Sequence, residues 1–178
     1  MTPQDRGYGA LSGALAYGKP AVGLHWLRNE LVDSSAFDQA FEEYARRWAF
    51  KHPTPADFFR TMDDALGEDL SWFWRSWFLR SDHLDQAVDS VVQRDTAGVT
   101  IARIWFANKA EMVAPLDLEV AFANGATEHL KLPVEAWYRG SPFVFVHRWP
   151  ARVAKVTIDP RSDYPDVNRA NNVWTAAP

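Results

Sequence analysis

The sequence predicts an α+β protein, in which a helical segment over residues 1–82 precedes an antiparallel β-sandwich over residues 83–178. This prediction depends on a change in the spacing of apolar residues. Between Pro20 and Leu79 they recur at the three- and four-residue intervals of amphipathic helices. After Ser81–Asp85 they alternate with polar residues, as in strands that bury one side only. We therefore place a domain boundary at this change of period.

Cap signals divide the first part into four predicted helices. Pro20 is expected to open the first helix, because its fixed φ suits a first helical turn. Ser35 and Asp38 have the spacing of a capping box at the start of the second helix. Thr54 is a favourable N-cap for the third helix, and Gly67 is expected to end that helix in a left-handed conformation. The fourth helix carries the apolar and aromatic residues that follow Gly67.

The second part has the pattern of short antiparallel strands. From Leu116 to Phe122 large apolar residues alternate with Asp117, Glu119 and Ala121, so one side of the strand is expected to be buried. Asn124–Gly125 then predicts a hairpin turn of type I′, which needs positive φ at both central residues. Near Ala102 the alternation slips by one residue, which indicates a β-bulge. About six or seven such strands with turn signals between them favour a small β-sandwich.

Composition and charge restrict the classes of partner. The 178 residues include 19 Lys and Arg against 23 Asp and Glu, and this net charge of -4 disfavours binding to nucleic acid through its phosphates. Cysteine is absent, which excludes disulfides, thiolate metal sites and a cysteine nucleophile. No signal peptide and no apolar run of ~18 residues is present. We expect a soluble protein, cytoplasmic by default, without a nucleic-acid or membrane partner.

The sequence contains no complete catalytic or metal-binding motif. A zinc helix would carry two histidines one turn apart, whereas the closest pair here, His129 and His147, is 18 positions apart. The Gly-x-Ser-x-Gly motif of a serine nucleophile is also absent. Adjacent carboxylates such as Asp63 and Asp64 point in different directions on a helix and are typical of a solvated face. We therefore expect neither a metal nor an organic cofactor in this chain.

Five ordered segments carry a resemblance to a known family. They are residues 16–20 (AYGKP), 37–44 (FDQAFEEY), 53–59 (PTPADFF), 67–70 (GEDL) and 72–78 (WFWRSWF). In order and spacing they resemble the last helices of the catalytic domain of the M1 zinc aminopeptidases. Many members of that family place a β-sandwich directly after this point, which is similar to the arrangement predicted here. The tail over residues 159–172 also resembles that of bacterial members.

The resemblance implies a role for Tyr17. This residue matches the tyrosine whose hydroxyl stabilises the oxyanion of the tetrahedral intermediate in the family. The family's zinc-binding His-Glu-x-x-His helix, its third zinc ligand and its Gly-x-Met-x-Asn segment lie N-terminal to this region, and none of them occurs in the sequence. The resemblance therefore implies a C-terminal part or a truncated relative that does not hydrolyse peptides alone. Zinc and a peptide substrate are expected only in full-length relatives.

Three interpretations remain open at this stage. In the first interpretation, the chain is a fragment or truncated member of the M1 family that needs a missing N-terminal catalytic portion. In the second, it is a non-enzymatic interaction module. The second interpretation draws on the 9 Trp, 11 Phe and 5 Tyr, many of them between Phe37 and Phe78, which form either a core or an exposed helical face. An exposed face of this kind predicts self-association as a homodimer. The third interpretation is a metal site built from scattered histidines.

Overall fold

The computed structural model describes residues 13–177 of the chain. It contains four helices and two antiparallel sheets with seven strands, which confirms the predicted α+β class with an N-terminal helical part. The chain divides into two compact units, of which the first ends at Ser81 and the second begins at Asp82. Within the described residues, no helix is long and apolar enough to cross a bilayer.

The first helix, α1, is a continuous succession of three segments, Ala14–Gly18, Lys19–Trp26 and Leu27–Leu31. The two outer segments have π geometry, with wider turns than the central α-helical one. The prediction that the helix opens at Pro20 is wrong, because the backbone is already helical upstream of it. Proline is tolerated there because it lies in the first turn of the central segment, where its fixed φ fits.

The second helix, α2, spans Ser34–Trp48. Its N-cap is Asp33, whose carboxylate accepts a hydrogen bond of 2.9 Å from the backbone N–H of Ala36. The predicted capping box of Ser35 and Asp38 is therefore wrong. The helix begins two residues earlier than that box requires, and this places Asp38 on the helix surface rather than at the N3 position of a box.

The third helix, α3, spans Pro55–Leu66, and its predicted boundaries are confirmed. The Thr54 hydroxyl accepts from the backbone N–H of Asp57, and the Asp57 carboxylate accepts from the backbone N–H of Thr54, which completes a capping box. Gly67 ends the helix with φ of 68°, a left-handed conformation that favours glycine. The fourth helix, α4, consists of Ser71–Phe73 followed by a π segment, Trp74–Leu79.

The core of the helical unit is aromatic. Most of the tryptophans that the sequence places in this part are buried or half-buried inside the unit and do not form an exposed face. The buried large side chains are Trp26, Leu27, Phe37, Met62, Leu70, Phe73, Trp74 and Trp77. The rings of Trp26, Phe73 and Trp77 lie within 5.8 to 6.4 Å of one another, so α1 and α4 are joined by ring contacts.

The second unit is built from seven strands: Gln86–Thr96 (β1), Val99–Asn108 (β2), Leu116–Phe122 (β3), Thr127–Leu132 (β4), Phe143–Trp149 (β5), Val153–Ile158 (β6) and Val173–Thr175 (β7). One sheet has the order β1-β2-β5 and the other has the order β4-β3-β6-β7. The sheets share a core, as the contact of Phe122 on β3 with Trp149 on β5 illustrates. The short strand β7 was not predicted from the sequence, because three residues are too few to show the alternation of a strand.

The bulge predicted near Ala102 is wrong. Strand β2 pairs with β1 without a break through that residue, and the observed register shift lies in β1 between Val88 and Ser90. Burial along β2 alternates regularly, with Thr100, Ala102, Ile104 and Phe106 buried. Val99 and Ile101 therefore belong to the opposite, outer side of the sheet, although their apolar character suggests a buried position.

The hairpin at Asn124–Gly125 is confirmed, but its predicted turn type is wrong. Of the two residues only Gly125 has positive φ, at 84°. The backbone N–H of Gly125 donates to the carbonyl of Phe122, and the N–H of Phe122 donates to that of Ala126. This is a type I turn followed by a left-handed residue, the next most common way to close a hairpin. The side chain of Asn124 stabilises it by accepting from the N–H of Ala126.

Candidate functional site

Tyr17 lies in the first π segment of α1 and is 72% exposed. Among the described residues its hydroxyl has no hydrogen-bond partner. A tyrosine held for structural reasons usually buries its ring and pairs its hydroxyl. Tyr17 does neither, so its phenol is free to meet a group from outside the described part of this chain.

A groove of about 490 Å³ lies between α1 and α2. Its walls come from successive turns of each helix, with apolar residues between charged ones. The lining residues are Ala21, Leu24, His25, Arg28, Phe37, Asp38, Phe41 and Glu42. Tyr17 precedes Ala21 by one helical turn, so it belongs to the same side of α1. We call this groove together with Tyr17 the α1–α2 groove.

An ion pair crosses the α1–α2 groove. The guanidinium of Arg28 donates to both carboxylate oxygens of Asp38, at 2.7 Å each. These hydrogen bonds lower the pKa of Asp38 and raise that of Arg28. Both side chains are solvent-exposed, so the pair contributes little to stability. No sequence pattern indicates this pair, because its partners lie on different helices.

The aromatic side of the α1–α2 groove comes from α2. Phe37 is buried and stacks on Phe41 with ring centroids 5.9 Å apart. Phe41 is 42% exposed, although the periodicity of α2 places it on the apolar stripe. Its exposed part faces open space in the groove, which leaves apolar area available for binding.

The described residues do not form a metal site. No group of three or more His, Asp or Glu side chains within residues 13–177 is placed to hold an ion. His129 is exposed and lies 3.6 Å from Glu119. The ring of His147 lies half-buried between Phe145 and Trp149. The zinc that the family resemblance implies therefore does not fit the ligands in this part of the chain.

The residues Gly13, Gly18 and Lys19 have the spacing that begins a phosphate-binding loop. Such a loop needs free backbone N–H groups and a Ser or Thr after the lysine. Here Gly18 is helical, with φ of -62°, the N–H of Lys19 bonds within the helix, and Pro20 follows the lysine. The spacing therefore does not create a phosphate site.

The α1–α2 groove combines polar, charged and apolar groups. The groove is lined by one imidazole, an ion pair and an apolar wall, and the phenol of Tyr17 lies one helical turn before Ala21. Within the described ranges, no serine or threonine hydroxyl is hydrogen-bonded to a histidine.

No protein-family model matches the sequence, and no curated protein matches it. The resemblance to the M1 aminopeptidases therefore stays a prediction from the five segments.

Proposed function

We propose that the chain is the C-terminal part, or a truncated relative, of an M1-type zinc aminopeptidase, with Tyr17 as its one catalytic residue. The observation that carries the proposal is the exposed phenol of Tyr17 at the end of the α1–α2 groove. Its hydroxyl forms no bond within the described part of the chain, and its position in the AYGKP segment matches the family's oxyanion-stabilising tyrosine.

The chemistry assigned to Tyr17 is donation of a hydrogen bond. A phenol that points at the oxygen of a developing tetrahedral intermediate stabilises its negative charge, and one such donor contributes on the order of 3 kcal/mol. The described residues supply neither a zinc ligand set nor an activated nucleophile, so we assign no further step to this chain. In this proposal both come from an N-terminal catalytic portion.

A second candidate is a non-enzymatic module that self-associates through its helical unit. Exposed apolar side chains on that unit favour it, including Val22, which is 55% exposed, and Phe41 in the α1–α2 groove. Side chains of this kind cost free energy in water and are stabilised when a partner covers them. A symmetric dimer would pair the same surface of two copies.

Kinetics of Tyr17→Phe in the protein captured from its source cells test the first candidate. We expect kcat for an aminoacyl anilide to fall by roughly 100-fold with KM little changed, because the donor acts in the transition state. Tyr138→Phe is the matched control, since Tyr138 is 65% exposed on the other unit. Equal activity of both variants and wild type would contradict the role of Tyr17.

Sedimentation velocity distinguishes the second candidate. A dimer of the recombinant chain that dissociates in Phe41→Ser but not in Tyr138→Ser would favour self-association through the helical unit. A chain that stays monomeric at high micromolar concentration would contradict it.

A further inference from the structure

On the outer side of the β1-β2-β5 sheet, the three rows from Ser90 to Arg94 carry three arginines and no acidic residue. Residue pairing places Arg94 and Arg148 on either side of Ile101 in one row across the sheet. Arg103 follows Ile101 by two positions on β2, so it lies in the next row of the same side. All three arginines are exposed, and their side chains form no ion pair or hydrogen bond with any described residue.

Exposed apolar side chains lie among these arginines. Val92 and Val146 flank Arg103 across the sheet and are 58% and 53% exposed. In the following row Trp105 pairs with Val144, which is 40% exposed. We call these four residues and the three arginines the arginine face. Most apolar strand residues face the core, so several exposed valines on one side of a sheet favour a binding surface.

Several other charged residues of the same unit are paired. Arg152 and Arg169 bind Asp95 and Asp159 through charge-assisted hydrogen bonds. On the outer side of the second sheet, His129 lies beside Glu119. The arginine face gathers three like charges whose side chains pair with no described residue.

The composition of the arginine face is typical of a protein interface. Interface cores are enriched in arginine and tryptophan and depleted of lysine, aspartate and glutamate. The three rows from Ser90 to Arg94, with their partners on β2 and β5, contain Arg and Trp but no Lys, Asp or Glu. Guanidinium groups also bind carboxylates in a bidentate manner that lysine cannot match.

Charge and size define the partner. A symmetric dimer through this face would place three arginines against three arginines, so a second copy is disfavoured. From the usual strand spacing and rise, three strands and three rows cover roughly 300 Å². That is well below the ~800 Å² per partner of a stable complex between folded proteins. It suits a short segment instead.

We propose that the arginine face binds a short acidic segment of another protein, whose carboxylates pair with Arg94, Arg103 and Arg148 and whose apolar residues cover the valines and Trp105. This inference does not depend on the proposed aminopeptidase relationship. It concerns binding by the β-sandwich unit alone, without any catalytic step.

The test titrates the full chain into a fluorescein-labelled peptide of Glu, Leu and Gly residues and measures anisotropy. The same peptide with Gln at every Glu position is the control ligand. Three proteins are compared: wild type, the triple variant R94Q/R103Q/R148Q, and Lys155→Gln, which removes a charge from the opposite sheet. Thermal unfolding shows whether the triple variant is folded, and amide shifts in NMR spectra of the wild type locate the peptide in any case.

We expect the acidic peptide to bind with amide shifts confined to β1, β2 and β5. The Kd should rise at least tenfold with the Gln peptide and with the triple variant, but less than twofold with Lys155→Gln. Three results would overturn the proposal: equal binding of both peptides, amide shifts elsewhere, or no binding. Tighter binding of a thymidine oligonucleotide or of vesicles with phosphatidylserine would also overturn it, in favour of a nucleic acid or a membrane.

Discussion

Replacing Gly23 by alanine would place a methyl group inside the volume of the Trp77 indole. Gly23 lies in the central segment of α1, where the indole of Trp77 packs directly on the backbone. An ideal Cβ at this position would lie 2.0 Å from Nε1 and 2.4 Å from Cδ1 of that ring. Carbon atoms pack best at about 3.5 to 4.0 Å, so the helices would have to separate or the ring would have to rotate.

The cost can be divided into three parts. Overpacking of a filled core costs about 1 to 3 kcal/mol. Movement of the ring would also break the hydrogen bond of 2.8 Å that Trp77 Nε1 donates to the carbonyl of Lys19, which is worth about 1 kcal/mol. Alanine gains about 1 kcal/mol over glycine in helix propensity. We therefore expect Gly23→Ala to lower the free energy of unfolding of the helical unit by about 2 kcal/mol.

Gly18→Ala is the matched control in the same helix. Gly18 has helical φ and ψ, and its added Cβ would meet nothing within 4 Å. Only the propensity gain remains, so this variant should be more stable than wild type by about 0.5 to 1 kcal/mol. Urea unfolding followed by far-UV circular dichroism measures both. Equal effects of the two substitutions, or stabilisation by Gly23→Ala, would refute the close contact of α1 with Trp77.

Three further predictions concern polar groups. Thr54→Ala should lower the free energy of unfolding by about 1 kcal/mol at neutral pH. Because the Thr54 hydrogen bonds lower the pKa of Asp57, this loss should shrink as the pH falls through that pKa. Urea titrations at several pH values measure the loss, and a constant loss would contradict the prediction. Asp63 does not belong to the solvated face that its sequence context indicates, because it is half-buried and accepts a hydrogen bond from the indole N–H of Trp74. Burial raises the pKa of Asp63, so the stability of wild type relative to Asp63→Asn should fall as the pH rises through that pKa, and parallel curves would contradict this. Asp159→Ala should cost about 3 kcal/mol in thermal unfolding of the β-sandwich, because it leaves Arg169 and two backbone N–H groups without their buried acceptor; a loss within error of zero would exclude this role.

Local signals predicted much of the fold. The Thr54 capping box and the left-handed Gly67 were found because each depends on neighbours in the sequence. The predicted helix starts were wrong where neighbouring residues offer two possible starts or two possible N-caps. Pro20 fits both a helix start and the first turn of a later segment, and Asp33 competed with Ser35 for the N-cap of α2. Hydrophobic character alone also failed at Val99, which lies on the exposed side of β2.

The candidate site depends on contacts that sequence periodicity does not encode. Tyr17 was found through the family resemblance, and its exposure supports a role outside the core without testing that role. The Arg28–Asp38 pair joins two helices, and its spacing of ten residues has no local meaning. The arginine face likewise appears only once the pairing of β1, β2 and β5 is known, because its residues come from three separate strands.

The most direct test of the account measures zinc content and aminoacyl-anilide hydrolysis on two samples. One is the recombinant 178-residue chain supplemented with zinc, and the other is the protein captured from its source cells by an antibody to the β-sandwich. We predict neither zinc nor turnover in the first sample, and stoichiometric zinc with turnover that depends on Tyr17 in the second. Turnover by the recombinant chain, or a captured protein that has neither zinc nor activity, would contradict the proposed relationship to the M1 aminopeptidases.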